Sequence, residues 1–141
     1  MRHERVARLG GVVEIVSTFS GGYDMWGQPT GDQQGIGTGF VVSEDGDILT
    51  NAHVVRGATE VTVKLTDRRE FRAKVLGSDP ATDIAVLRIE AKDLPVVKIA
   101  DPARTRAGDW VVAIGSPFGF ENSVSAGIVS ANSRSLPDGS Y

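Results

Sequence analysis

The sequence contains no cysteine and only two histidines, His3 and His53, among its 141 residues. The absence of cysteine excludes a disulfide framework and a thiolate metal site, although it leaves the cellular compartment open. No His-Glu-x-x-His or paired-histidine spacing is present, so carboxylates would have to supply most ligands of any metal ion. We therefore expect neither a metal site nor a bound cofactor.

Aromatic residues are scarce, at 6% of the chain, and the formal net charge is only −3. The 15 basic residues are dispersed and form no stripe that could follow a phosphate backbone. The few aromatic side chains offer no platform on which bases could stack. We expect no nucleic acid partner, and a small ligand-binding barrel of the OB or SH3 type is disfavoured.

The sequence also lacks a long hydrophobic run. Met1 to Arg5 is charged, and the apolar stretch from Val12 to Val16 is short and interrupted by Glu14. Such a stretch is too short for a signal-peptide core or for a membrane span. We expect no membrane span and no signal segment in these 141 residues; a targeting segment of a longer gene product would have been removed.

Glycine, in contrast, is abundant. Its 17 residues are roughly 12% of the chain, against a usual share near 7%, which indicates frequent turns and few helices. Alternating or continuous apolar runs predict strands at 12–19, 39–43, 46–51, 60–65, 71–75 and 84–89. Asp45-Gly46 between two apolar runs predicts a hairpin, and residues 52–56 predict one helical turn that ends at Gly57.

This pattern predicts an all-β fold. Six strands with one buried side each fit a closed antiparallel barrel over residues 12–91, although the continuous apolar run at 84–89 predicts a strand buried on both faces. Residues 92–107 contain prolines and no sustained periodicity, which indicates a connector. Residues 108–141 contain two further strands, which we interpret as the opening strands of an incomplete second barrel.

Two short runs carry the candidate catalytic residues, Thr50–Val55 (Thr-Asn-Ala-His-Val-Val) and Asp79–Leu87 (Asp-Pro-Ala-Thr-Asp-Ile-Ala-Val-Leu). Together with Gly35–Val42, Gly108–Gly115 and Ala126–Ser130, they make the chain resemble the Deg/HtrA family of trypsin-like serine proteases, over roughly residues 35–135.

The resemblance implies that His53 is the general base and acid of a catalytic triad, and that Asp83 orients it. The two lie thirty positions apart, so only a fold that returns the chain can join them. The alternative for His53 is a packed structural histidine. Asp79 is predicted to form a turn before Pro80 and not to serve as a second catalytic carboxylate.

The serine that such a triad needs is missing from the recognisable motifs. Ser116 lacks the glycine two places earlier that a nucleophile elbow uses, and Ser140 has only a superficial likeness to the family's Gly-Asn-Ser-Gly-Gly segment. In the family that segment also provides the oxyanion-hole amides, so we expect the isolated chain to be inactive. We interpret it as a truncated peptidase; the alternative is a naturally short pseudoprotease that serves as a binding or regulatory module.

The resemblance further implies a parent protein that degrades unfolded polypeptides in protein quality control, outside the bacterial cytoplasm and commonly in the periplasm. It implies an oligomer with carboxy-terminal peptide-binding domains. We expect self-association through exposed strand edges or through the loop at 20–34, which carries Tyr23 and Trp26. The alternative for either aromatic residue is to cap the end of the barrel.

Overall fold

The computed structural model describes residues 10–115 and 123–132, and most of its regular structure is β-strand. The strands are β1 (Val12–Phe19), β2 (Gln33–Val41), β3 (Asp47–Thr50), β4 (Glu60–Lys64), β5 (Glu70–Asp79), β6 (Ile84–Arg88), β7 (Trp110–Gly115) and β8 (Ser123–Ile128). A single helical turn, α1 (Ala52–Val55), connects β3 to β4, and a short 3₁₀ helix spans Pro102–Arg104. The predicted all-β class is confirmed.

The first six strands close into an antiparallel barrel in the order β1-β2-β3-β6-β5-β4. Strand β1 closes the barrel because it pairs with β2 on one side and with β4 on the other. Strands β7 and β8 form a separate antiparallel pair. The predicted barrel and the two additional strands are therefore present, while the division into units 12–91, 92–107 and 108–141 stays a prediction.

The core fills the inside of the barrel with aliphatic side chains from its strands. Val13, Ile15, Ile48, Val63 and Leu87 are each at most 1% exposed. Strand β4 alternates between half-buried and buried positions, as its sequence predicts. Such alternation follows from the geometry of a strand, whose successive side chains point to opposite faces.

The prediction that the run at 84–89 is buried on both faces is wrong. In β6, Ala85 and Leu87 are buried, whereas Ile84 is 48% exposed. A barrel wall has one face toward the core and one toward the outside, so hydrogen bonding to neighbours on both edges does not bury both faces. The continuous apolar run therefore predicted more burial than β6 has.

Two strands are longer than predicted. Strand β2 begins at Gln33 instead of residue 39, and it takes in the last two residues of the predicted loop at 20–34, because the ladder with β1 continues to the pair Phe19 and Gln33. Strand β5 runs past a register shift between Val75 and Gly77 and ends at Asp79 instead of Val75. In both cases backbone pairing continues where the side-chain pattern gives no signal.

The hairpin between β2 and β3 turns at Gly46, as predicted. Gly46 has a φ of 109°, and a Cβ atom there would lie 2.1 Å from the carbonyl oxygen of Ile89. The Ile89 N–H also donates a hydrogen bond to the Gly46 carbonyl, which holds the two segments together. Glycine is therefore required both for the backbone conformation and for the close approach of the chain after β6.

Candidate active site

His53 lies on α1, which begins directly where β3 ends at the barrel rim. Asn51 occupies the N-cap position, and Gly57 follows the helix with a φ of 75°. A left-handed glycine just beyond a helix lets the chain turn away. The predicted single helical turn at 52–56 is confirmed, and it places His53 at the end of the barrel.

The barrel wall holds α1 through two contacts with Val54. The Ser17 hydroxyl, fully buried on β1, donates a hydrogen bond of 2.7 Å to the Val54 carbonyl oxygen. Gly37 on β2 lies beneath the same residue, and a Cβ atom at Gly37 would come within 2.7 Å of Val54 Cγ1. The interpretation of the sequence missed both residues. A signal for Ser17 exists, because it continues the inward positions of Val13 and Ile15 with a polar side chain.

Asp83 lies on the turn between β5 and β6, and Asp79 shapes that turn. The Asp79 carboxylate accepts hydrogen bonds from the Ala81 N–H at 3.0 Å and from the Thr82 hydroxyl at 2.9 Å. These bonds form the local side-chain turn that aspartate favours. Asp79 is therefore a turn former, as predicted, and the turn delivers Asp83 with a φ of 56°.

The pairing of β3 with β6 brings the two candidate residues together. Thr50 at the end of β3 lies opposite Ala85 near the start of β6, so the adjoining turns meet at the barrel rim. His53 Nδ1 lies 2.6 Å from Asp83 Oδ2, and the His53 backbone N–H donates to Asp83 Oδ1 at 2.9 Å. Both carboxylate oxygens of Asp83 therefore contact His53.

The hydrogen bond from the His53 backbone N–H, followed by the bond from its ring, lowers the pKa of Asp83 below its usual value. Partial desolvation opposes this effect, and the charges of His53 and Arg56 add to it. An ionised carboxylate can only accept hydrogen bonds, so Nδ1 carries the proton that points at Asp83. In the neutral imidazole the lone pair is then on Nε2.

The Nε2 atom is available to a substrate or to another side chain. Within residues 10–115 and 123–132 it has no hydrogen-bond partner, and the His53 side chain is 65% exposed. Such an imidazole can accept a proton at Nε2, while the carboxylate stabilises the imidazolium that results. The arrangement is suited to general acid–base chemistry.

The described residues contain no group of three or more His, Cys, Asp or Glu side chains that could hold a metal ion. None of the helices in the same part of the chain is long and apolar enough to cross a membrane. Ser116 and Ser140, the serines weighed as nucleophiles, lie outside the described residues.

The loop between β1 and β2 forms a small turn of its own, in which Tyr23 pairs with Pro29. Its three large apolar side chains are almost fully in solvent, since Tyr23 is 79% exposed, Trp26 81% and Met25 91%. The alternative that Tyr23 or Trp26 caps the barrel end is therefore wrong.

Comparison with known proteins finds similarity to peptidases of one kind. The trypsin-like peptidase domain family matches residues 37–141. A probable periplasmic serine endoprotease, DegP-like, from Marinomonas sp. (strain MWYL1) is 53% identical over 124 residues, which cover 85% of this chain and 26% of that protein. The protein of the same name from Hahella chejuensis (strain KCTC 2396) is 58% identical over 110 residues, covering 78% of this chain and 24% of the relative.

Among solved structures, the HtrA-type protease AlgW with tripeptide superposes with a TM-score of 0.79 at 36% sequence identity. The match covers 93% of this chain and 40% of that one. The chain spans about a quarter of the length of the two DegP-like relatives.

Proposed function

The chain belongs to the Deg/HtrA family of trypsin-like serine peptidases, and on this premise we propose that it is the amino-terminal part of a serine endopeptidase domain. In this proposal His53 is the general base and acid, and Asp83 orients it. The observation that carries the proposal is the 2.6 Å contact between His53 Nδ1 and Asp83 Oδ2, which leaves Nε2 as the proton acceptor.

The proposed chemistry is acyl transfer through a serine outside these 141 residues. His53 Nε2 removes the serine proton as the oxygen attacks the scissile carbonyl, and it then gives that proton to the leaving amine. Asp83 holds the ring in one tautomer and stabilises the imidazolium, without being protonated itself. The developing oxyanion needs donors that the segment around the serine would contribute.

The proposed substrates of the whole protein are unfolded polypeptides, which are cleaved in protein quality control. The DegP-like relatives are named as periplasmic endoproteases, which supports the predicted extracytoplasmic location.

The 141-residue chain alone should not cleave casein and should not react with a serine-directed phosphonate. Removal of the triad serine alone costs about 10⁶ in turnover in a well-studied peptidase, which is beyond an ordinary assay. Stoichiometric labelling of Ser116 or Ser140 that disappears in His53→Ala would contradict this proposal. Sequencing the gene beyond the Tyr141 codon provides an independent check, because a Gly-Asn-Ser-Gly-Gly segment should follow within a few dozen codons.

The roles of His53 and Asp83 can be tested by joining this chain to the remaining peptidase domain of the Hahella chejuensis relative. The chimera should cleave casein, with a loss of about 10⁶ in kcat for His53→Ala and about 10⁴ for Asp83→Asn. His3→Ala, at the other histidine, serves as the control and should retain full activity. A folded chimera that binds unfolded polypeptide without cleaving it would favour the pseudoprotease, and full activity of His53→Ala would refute the assignment.

We also propose that the chain self-associates, through β7–β8 or through the loop between β1 and β2. Trp110 is 82% exposed and Val112 57%, and β7 and β8 pair only with each other within the described residues. Exposed strand edges are templates for further pairing. Light scattering should show a mass above that of the monomer. This mass should fall in Val112→Asp if β7 mediates the contact, and in Trp26→Ser if the loop does. A strictly monomeric 141-residue chain without substitutions would contradict the proposal.

A further inference from the structure

Asn51 occupies the N-cap position of α1 but does not cap the helix. Asparagine is favoured at this position because its side-chain oxygen accepts a hydrogen bond from a backbone N–H of the first helical turn. Asn51 has the extended backbone of an N-cap residue, with φ −83° and ψ 145°, yet its side chain makes no such bond. Its Nδ2 instead donates to the backbone carbonyl of Asp83 at 3.0 Å.

The same carbonyl also accepts the backbone N–H of Ala52 at 3.1 Å. The carboxylate of Asp83 accepts two further hydrogen bonds, both from His53. Four donors from three consecutive residues therefore hold one aspartate, two at its carbonyl and two at its carboxylate. Only the donor of Asn51 comes from a side chain that is not part of the His53–Asp83 pair.

Asp83 needs such restraint because its backbone is in the left-handed region, with a φ of 56°. Aspartate tolerates that conformation better than most residues other than glycine, but the conformation still costs free energy, and hydrogen bonds from the surroundings stabilise it. A return to negative φ with the carbonyl released would rotate the Cα–Cβ bond and swing the carboxylate away from the imidazole.

From this geometry we propose that Asn51 is a positioning residue for the His53–Asp83 pair. Its amide fixes the Asp83 carbonyl, and the carbonyl in turn fixes the direction of the carboxylate. The proposal rests on the proposed function only for its catalytic consequence, because the positioning itself can be measured in the isolated chain.

Replacement of Asn51 by aspartate, serine and alanine separates positioning from capping. Aspartate and serine are as good N-caps as asparagine, whereas alanine is poor. Ionised aspartate is nearly isosteric but cannot donate. Serine lacks the amide, its hydroxyl is one bond shorter than the Asn51 Nδ2 that reaches the Asp83 carbonyl, and it adds no charge near Asp83. A capping role predicts that only Asn51→Ala is affected; a positioning role predicts that all three variants are affected.

The measurement is the proton NMR signal of His53 Nδ1–H, with its rate of exchange with water, in the 141-residue chain. We expect exchange to accelerate by about tenfold in all three variants, as loss of one hydrogen bond allows. The equilibrium constant of urea unfolding should change by no more than the same factor, because a single exposed side chain is altered. Asn132→Ser is the matched control, since Asn132 also donates its amide to backbone carbonyls, those of Pro102 and Thr105, away from His53.

Unchanged exchange in Asn51→Asp and Asn51→Ser would overturn the proposal, whether or not Asn51→Ala is destabilised. Acceleration of the same size in Asn132→Ser would also overturn it, because the effect would then be general loosening. If the chimera described above proves inactive while the NMR result is as expected, the positioning role stands and the peptidase proposal fails.

Discussion

The barrel and the β7–β8 pair differ in how completely they are covered. Every barrel strand has a hydrogen-bonded neighbour on each side, and the side chains at its centre are at most 1% exposed. In the described residues β7 and β8 have only each other, and Trp110, Val124 and Ile128 are more than half exposed. Two regions with similar apolar sequences therefore have very different burial.

The comparison also shows which region builds the candidate site. All hydrogen bonds described for His53 and Asp83 connect the turns after β3 and β5 of the barrel. Further contacts to α1 come from β1 and β2. The hydrogen bonds of the His53–Asp83 pair therefore lie within the barrel, and its arrangement should be independent of the order of β7 and β8.

Amide hydrogen exchange should show the largest difference between the two regions. Buried strands of a closed barrel exchange only through large openings, whereas an isolated two-stranded sheet is marginally stable in water. We expect amides of β7 and β8 to exchange about 100-fold faster or more than those of β6. Equal protection of Trp110–Gly115 and Ile84–Arg88 would show that the second sheet is self-sufficient, and it would favour the pseudoprotease alternative.

A matched pair of valine substitutions should show the difference in free energy. Val63 is completely buried and Val112 is 57% exposed. Val63→Ala should lower the free energy of unfolding by about 2 kcal/mol or more, from lost burial plus a cavity. Val112→Ala should change it by less than about 0.5 kcal/mol. Urea unfolding measures both, and similar losses in the two variants would contradict the comparison.

A matched pair of glycine substitutions tests the support of α1. A Cβ atom at Gly37 would lie 2.7 Å from Val54 Cγ1, whereas one at Gly127 in β8 would meet nothing within 4 Å. Overpacking should make Gly37→Ala less stable by about 1–3 kcal/mol. It should also move α1 and weaken the His53 Nδ1–H signal, while Gly127→Ala should be neutral or slightly stabilising. An unchanged Nδ1–H signal in Gly37→Ala would show that Val54 adjusts without moving His53.

These contrasts explain which features could be predicted from the sequence. The barrel follows from agreement between alternating apolar runs and turn signals such as Asp45-Gly46. His53 and Asp83 lie in runs that carry the family resemblance. The inward position of Ser17 could be predicted from the alternation of β1, but its partner Val54 could not. The supporting roles of Gly37 and Asn51 could not be predicted either, because each contacts a residue on another part of the chain. Those contacts depend on which strands are neighbours. Side-chain alternation indicates which face of a strand is buried, but it does not indicate which strand lies beside it.

The extent of β2 and the burial of β6 show that prediction of the fold from local sequence has the same limit. Residues 33–38 contain glutamine and glycine without alternation, yet they pair with β1 along their whole length. The run at 84–89 is apolar throughout, yet Ile84 faces outward. Backbone pairing is decided by the partner strand, and burial by the curvature of the whole wall, so neither could be predicted from the local sequence.

The smallest expected effect is a dependence of barrel stability on pH through Asp83. Its pKa in the folded chain lies below the usual value because His53 donates to both carboxylate oxygens. A lowered pKa adds stability that is fully present above the unfolded value of about 3.9 and is lost as the pH falls through the folded value. The difference in unfolding free energy between the unsubstituted chain and Asp83→Asn should therefore be constant above about pH 5 and shrink below about pH 4.

Asp67→Asn is the control for this last prediction, because hydrogen bonds from Arg69, chiefly its backbone N–H, lower the pKa of Asp67 as well. In both variants the free energy of unfolding, measured with urea, should fall less steeply as the pH is lowered. Only Asp83→Asn should alter the His53 Nδ1–H signal. Neither β7 nor β8 contains an ionisable residue, so their protection, corrected for intrinsic exchange, should not change between pH 5 and 3.5. If the difference in unfolding free energy between the unsubstituted chain and Asp83→Asn grew as the pH falls, the sign of the linkage would be reversed. The contact between His53 and Asp83 would then not persist in solution.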